Sequence, residues 1–85
     1  MAKVSMYSSR FCGYCQRAEQ FLIRKGVTAI EKIEVDVDPQ VRATMVARTG
    51  RQTIPQIYVG DTRVGGYDDL VILDRTGQLE KLLSG

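Results

Sequence analysis

The fold is decided by residues 3–26, which read KVSMYSSRFCGYCQRAEQFLIRKG. The segment opens with alternating apolar residues, which predict a short strand over Lys3–Tyr7. After a polar turn, apolar residues recur at helical spacing and predict a helix over about 13–25, which Gly26 can end in the left-handed conformation. A strand that leads at once into a helix, with two cysteines at the junction, indicates an α/β protein.

The next segment predicts a second strand. Residues 29–37 place Ile33, Val35 and Val37 on one face and charged side chains on the other, the period of a half-buried strand. Two strands separated by one helix predict a parallel pair joined by a right-handed crossover.

The remaining elements follow from turn residues and periodicity. They are a helix started by Asp38 and Pro39 and ended by Gly50, strands over 55–59 and 62–64 joined by Gly60-Asp61, and a helical stretch over 67–83 broken at Gly77. The order βαβαββα predicts an α/β, thioredoxin-like fold: a four-stranded mixed sheet flanked by three or more helices.

The composition fits one domain. Eighty-five residues with 44% apolar content can bury one core, so we expect a single domain over residues 1–85. The formal charge is +2 and no block of Lys or Arg occurs, which argues against nucleic acid as a partner. No apolar run approaches the length of a membrane span or of a secretory signal. We therefore expect a cytoplasmic protein without a membrane partner, and we expect it to be a monomer.

The two cysteines carry the chemistry, because the chain has no histidine. Without imidazole, Cys–His and Ser–His–Asp mechanisms and mixed Cys–His zinc sites are excluded. A C-x-x-C pair is also half of a zinc site, but the chain has no third cysteine to extend it. As a cross-link the pair would close too small a loop to stabilise the fold much. A redox role is the preferred interpretation.

Cys12 is the predicted nucleophile and Cys15 the predicted resolving thiol. The thiolate is the form that attacks a disulfide, and the free N–H groups at a helix start favour an anion at Cys12. Arg10 adds a positive charge if its side chain folds back toward the site. Cys15 lies one turn further on the same side of the helix, where it can attack a disulfide formed by Cys12.

Three separated motifs resemble those of the glutaredoxin family in order and spacing. They are Cys12-Gly13-Tyr14-Cys15 after a strand, Thr53-Ile54-Pro55 before another strand, and Gly65-Gly66-Tyr67-Asp68-Asp69 at the start of the last helical stretch. The resemblance covers nearly the whole chain and indicates the dithiol subclass. It implies that Cys12 is the nucleophile, that Cys15 resolves the mixed disulfide, and that the peptide bond before Pro55 is cis.

The resemblance also implies a glutathione site. Its predicted residues are Arg10, Tyr14, Thr53, Ile54, Pro55, Gly66, Tyr67, Asp68 and Asp69. The Ile54 backbone would pair with the glutathione backbone like an added strand, and the helix start near Gly66 would hold the γ-glutamyl end. Asp68 and Asp69 have a second interpretation, because acidic residues in a first helical turn are also favoured by the helix dipole alone.

Two positions depart from the commonest pattern of that family. Gly13 stands where proline is usual, and Ser9 stands where a lysine often lies. Glycine loosens the helix start, and in the family it accompanies members that bind a [2Fe–2S] cluster between two subunits. Arg10 replaces the lysine only if its side chain points into the site.

The predicted function is glutathione-dependent reduction of protein–glutathione mixed disulfides and of protein disulfides. Two alternatives stay open. The first is a dimeric [2Fe–2S] protein, in which Cys12 of two chains and two glutathione thiols supply the four sulfur ligands. The second is an electron donor reduced by a thioredoxin reductase, against which the motif over 65–69 argues.

Overall fold

The computed structural model describes residues 2–85 and contains four strands and four helices within them. The elements are β1 (Val4–Ser8), α1 (Gly13–Arg24), β2 (Ile30–Glu34), α2 (Pro39–Thr49), β3 (Gln56–Val59), β4 (Thr62–Gly65), α3 (Tyr67–Arg75) and α4 (Gln78–Ser84). The strands form one sheet in the order β2-β1-β3-β4. This mixed sheet with its helices confirms the predicted fold class.

The sheet register brings the sequence motifs to one edge. β1 runs parallel to β2 and antiparallel to β3, so Tyr7 near the end of β1 lies opposite Gln56 at the start of β3. β4 is antiparallel to β3, and its last residue, Gly65, lies opposite Ile57. The end of β1, the start of β3 and the end of β4 therefore meet at the same end of the sheet.

Two apolar clusters hold helices on the sheet. The larger cluster contains Val4, Met6, Cys15, Ala18, Leu22, Val27, Ile57, Val59, Leu70, Leu79 and Leu83, and it joins the sheet to α1, α3 and α4. The smaller cluster contains Tyr7, Val35, Met45 and Tyr58, and it joins the sheet to α2. Because successive strand residues point to opposite faces, one helical layer covers each face of the sheet.

The predicted helix ends are confirmed. The Asp38 side chain accepts a hydrogen bond of 2.9 Å from the backbone N–H of Gln40, with Pro39 in the first turn of α2. Gly50 ends α2 with a φ of 72°, and Gly77 separates α3 from α4 with a φ of 80°. Both φ values lie in the left-handed region that glycine adopts without steric cost.

The predicted position of Val37 on the core face is wrong. β2 ends at Glu34. Directly after it, the backbone N–H of Val35 donates a hydrogen bond of 3.0 Å to the Ser8 carbonyl oxygen of β1. Val35 is buried, whereas the side chain of Val37 is 67% exposed. The apolar alternation continues through the turn before α2, where the chain has already left the sheet.

Among residues 2–85, no helix combines the length and the apolar character that crossing a membrane requires.

Candidate active site

Cys12 lies at the junction between the β1–α1 turn and the helix. It is the N-terminal cap of α1, with extended backbone angles, and its Sγ accepts a hydrogen bond of 3.2 Å from the backbone N–H of Cys15. The first N–H groups of a helix have no acceptor within the helix, so the sulfur satisfies one of them. The residue is partly exposed, so the sulfur of Cys12 suits a nucleophile.

Cys15 has the opposite environment. Only 3% of its surface is exposed, and it belongs to the larger apolar cluster. Burial raises the pKa of the Cys15 thiol to about 12, and a hydrogen bond with the Cys12 side chain adds to the effect. Cys15 is therefore a neutral thiol at physiological pH, and it lies beside Cys12 Sγ, with which it would form a disulfide.

A cavity of about 300 Å³ opens beside the start of α1. Its lining consists of Tyr14, Arg51, Thr53, Ile54, Pro55, Gly66, Tyr67, Asp68 and Asp69. The structure thus brings together, from three separate segments, all the residues predicted for glutathione except Arg10. Their role as ligands stays a prediction, but their convergence on one concave surface is a property of the fold.

The loop before β3 forms one wall of the cavity. The Ile54–Pro55 peptide bond is cis, as expected. The side chain of Gln56, only 1% exposed, donates from Nε2 to the Thr53 carbonyl oxygen at 3.1 Å and to Thr53 Oγ1 at 3.4 Å. Gln56 thereby holds the wall from inside the sheet. The sequence analysis missed this role, although a glutamine within an otherwise apolar strand is an available signal.

The start of α3 forms the opposite wall. Gly66 is its N-terminal cap and offers no side-chain acceptor to the N–H groups of the first turn. The Asp69 Oδ2 accepts a hydrogen bond of 2.9 Å from the Gly66 N–H. Asp69 is therefore a capping residue in this structure, whereas Asp68 lines the cavity without a hydrogen bond of that kind.

Two aromatic rings connect the start of α1 with the start of α3. The ring centroids of Tyr14 and Tyr67 lie 6.1 Å apart, and Phe21 packs edge-on against Tyr67 at 6.4 Å. The guanidinium of Arg17 lies 5.4 Å from the Tyr14 ring centroid. Tyr14 is 58% exposed.

Two arginines near the site point in different directions. Arg10 lies outside the cavity lining, with its Nε 3.8 Å from Glu34 Oε2 and its side chain 71% exposed. Arg51 is the cation that lines the cavity, and the sequence analysis did not select it. The available signal was a basic residue two positions before Thr53.

The structure gives no protein-only metal site within residues 2–85. Groups of three or more His, Cys, Asp or Glu side chains arranged to hold an ion do not occur there.

Comparison with known proteins supports the pattern of motifs. The profile of the glutaredoxin family matches residues 4–64. The chain belongs to the glutaredoxin family. A glutaredoxin of Pseudomonas aeruginosa is 46% identical over 84 residues, which cover 99% of each chain. The solution structure of a Brucella melitensis glutaredoxin has a TM-score of 0.84 at 43% identity, covering 98% of this chain and 89% of that one. The crystal structure of a buckwheat glutaredoxin–glutathione complex has a TM-score of 0.89 at 27% identity, covering 98% and 77%.

Family membership and the close cysteine pair together give the general chemistry. The protein is a thiol–disulfide oxidoreductase, with Cys12 and Cys15 as its pair of free thiols.

The contrast between the two thiols predicts selective alkylation. Because the pKa of Cys15 is raised to about 12, only roughly one Cys15 in a thousand is a thiolate at pH 9. Iodoacetamide at pH 8 should therefore modify Cys12 and spare Cys15, as measured by peptide mass spectrometry. In Cys12→Ser, labelling of Cys15 should stay slow and accelerate only above about pH 10. Labelling of Cys15 at the rate seen in urea-unfolded protein would contradict this assignment.

The capping contact predicts different consequences for the two adjacent aspartates. Asp69→Ala removes the acceptor of the Gly66 N–H and should lower the free energy of unfolding by about 1 kcal/mol. Asp68→Ala removes a negative charge near the helix start and should cost only about 0.3 kcal/mol. Urea titration of the reduced proteins measures both, with Asp69→Asn as the variant that keeps an acceptor oxygen. Equal losses in the two alanine variants would rule out the cap.

Proposed function

We propose that the protein reduces protein–glutathione mixed disulfides, and also protein disulfides, with glutathione as the reductant. The observation that carries the proposal is the cavity that gathers Tyr14, which lies between the two cysteines in sequence, with residues from the cis-proline loop and from the start of α3. The buckwheat relative, solved as a complex with glutathione, supports the same ligand here.

The charges of the cavity complement those of glutathione. The tripeptide carries two carboxylates and one ammonium group. Arg51 suits one carboxylate, and the N–H groups at the start of α3, which receive no side-chain cap from Gly66, suit the other. Asp68 suits the ammonium group. Ile54 also lines the cavity, and its backbone can pair with an extended peptide.

The reaction begins with attack of the Cys12 thiolate on the glutathione sulfur of a mixed disulfide. A bond forms between Cys12 Sγ and the glutathione sulfur, and the bond between glutathione and the protein breaks. The electron pair leaves with the protein thiolate, which takes up a proton from water. A second glutathione then attacks the adduct on Cys12, which releases oxidised glutathione and the free Cys12 thiolate.

Protein disulfides require the second thiol. Attack by Cys12 then leaves the two proteins joined through a mixed disulfide. Cys15 attacks Cys12 Sγ, which forms a Cys12–Cys15 disulfide and releases the reduced partner as a thiol. Two glutathione molecules then reduce the Cys12–Cys15 disulfide to the two thiols and leave as oxidised glutathione. Cys15 must lose its proton before it attacks, because burial keeps it neutral. Proximity offsets this cost, since an intramolecular thiol acts at an effective concentration that no dissolved thiol reaches.

This chemistry requires a reducing compartment, so we place the protein in the cytoplasm.

The [2Fe–2S] alternative makes a different demand on the thiols. Cys12 fits as a ligand because it is partly exposed, whereas Cys15 is buried. One chain thus offers one accessible sulfur, and a cluster would need Cys12 of a second chain and two glutathione thiols. Absorbance in the visible range of a protein purified anaerobically with glutathione distinguishes this role from the proposed reductase.

The proposed mechanism predicts that replacing Cys12 and replacing Cys15 affect the two kinds of substrate differently. Cys15→Ser should keep much of the activity on a glutathionylated protein, since a second glutathione completes that reaction, and should lose most activity on a protein disulfide. Cys12→Ser should lose both activities. Coupled assays with glutathione reductase measure each. Loss of both activities in Cys15→Ser, with an unchanged circular dichroism spectrum, would favour a donor of the thioredoxin type instead.

The direction of the two arginines predicts which one binds the glutathione carboxylate. Arg51→Gln should raise the KM for glutathione roughly fivefold, because a charge-assisted hydrogen bond of about 1 kcal/mol is lost. Arg10→Gln should raise it less, since Arg10 faces Glu34. Arg75→Gln on α3 removes the same charge outside the cavity lining and serves as the control. A larger effect of Arg10→Gln would reverse the assignment.

A further inference from the structure

Phe11 is the most exposed large apolar side chain that the structure describes, with 92% of its surface open to solvent. The aromatic pairs found among residues 2–85 leave it out, and neither apolar cluster contains it. An aromatic ring in water gains free energy when another surface covers it. Phe11 immediately precedes Cys12, so a surface that covers the ring also reaches the nucleophile.

The loop that carries Phe11 is held on the side of β2. Ser9 Oγ donates a hydrogen bond of 3.0 Å to Asp36 Oδ2, in the turn that follows β2. In the sheet order, β2 lies on one side of β1, and β3, which follows the cavity wall, lies on the other. Val37, which is 67% exposed, follows Asp36 directly, so a second apolar side chain lies near the same loop. Phe11 is absent from the cavity lining.

The chemistry of the reaction brings a substrate to this side. When Cys12 attacks the glutathione sulfur, the sulfur of the substrate protein lies two S–S bond lengths from Cys12 Sγ, which is about 4 Å. The protein surface around that sulfur must therefore rest on the residues beside Cys12. Glutathione bound in the cavity would occupy the surface next to β3 and α3. The protein part of the mixed disulfide must then contact the surface next to β2.

We infer that Phe11 is a contact residue for protein substrates and favours disulfides flanked by apolar side chains. The inference rests on the proposed function, because it assigns a place to the half of the mixed disulfide that is not glutathione. Aromatic side chains at the centre of a contact surface commonly dominate its affinity. A small mixed disulfide, such as that of glutathione with 2-mercaptoethanol, has no side chain to reach the ring.

Three substrates test the inference: the mixed disulfide of glutathione with 2-mercaptoethanol, and two glutathionylated peptides whose cysteine is flanked by leucines or by serines. For each peptide, the measured quantity is its kcat/KM divided by the kcat/KM for the small disulfide. Phe11→Ala should lower this ratio roughly tenfold for the leucine peptide, which corresponds to about 1.4 kcal/mol. For the serine peptide the ratio should fall less than about twofold. Phe11→Leu should keep most of the wild-type ratio.

The control is Ile72→Ala, which removes a 58% exposed apolar side chain from α3, outside the cavity lining. It should leave both ratios at the wild-type value. An equal fall for both peptides, or no fall for the leucine peptide, would overturn the role of Phe11. Failure of the wild-type protein to reduce the small disulfide with glutathione would instead contradict the proposed function. Because Phe11 is exposed, its variants should fold, and circular dichroism checks this.

Discussion

The hydrogen bond from the backbone N–H of Cys15 to Cys12 Sγ, 3.2 Å long, is the contact on which the site depends. It places the sulfur of Cys12 at the start of α1, where the partial positive charge of the helix dipole lies. The same bond fixes Cys15 one turn into α1, where packing buries it. One local contact thus gives two thiols of opposite character, one available for attack and one kept neutral.

The sheet supplies what this contact lacks, which is a concave surface near the cysteine motif. The wall formed by Thr53, Ile54 and Pro55 is adjacent to β1 only because β3 runs antiparallel to it in the observed register. Gln56, at the start of β3, then fixes Thr53 through two hydrogen bonds. The start of α3 reaches the same place because it follows the end of β4 directly. Residues far apart in sequence therefore meet without a long loop.

Local rules predicted most of the fold from the sequence. Asp38 marks a helix start through its own side-chain hydrogen bond, and Gly50 and Gly77 mark helix boundaries through their own backbone preferences, so neighbours elsewhere in the chain do not change them. The position of Val37 was misjudged and the role of Arg51 was missed because both depend on contacts with distant parts of the chain. The alternation that includes Val37 says nothing about where the hydrogen bonds to β1 end, and the position of Arg51 depends on how the loop before β3 meets α3. The cysteine pair was predictable because its spacing and its place at the start of a helix can both be read from neighbouring residues in the sequence.

Gly13 connects the helix start to the resolving step. A Cβ added there would meet no atom within 4 Å, and its φ is not in the left-handed region, so neither crowding nor backbone conformation requires glycine. Its consequence is conformational freedom, since a proline at this first helical position would hold φ near about −65°. A mixed disulfide at Cys12 is neutral and accepts the Cys15 N–H bond more weakly than a thiolate does. In the resolving step that we propose, the helix start would then be held less tightly, and glycine leaves the backbone there the rotational freedom that an approach of the buried Cys15 sulfur would need.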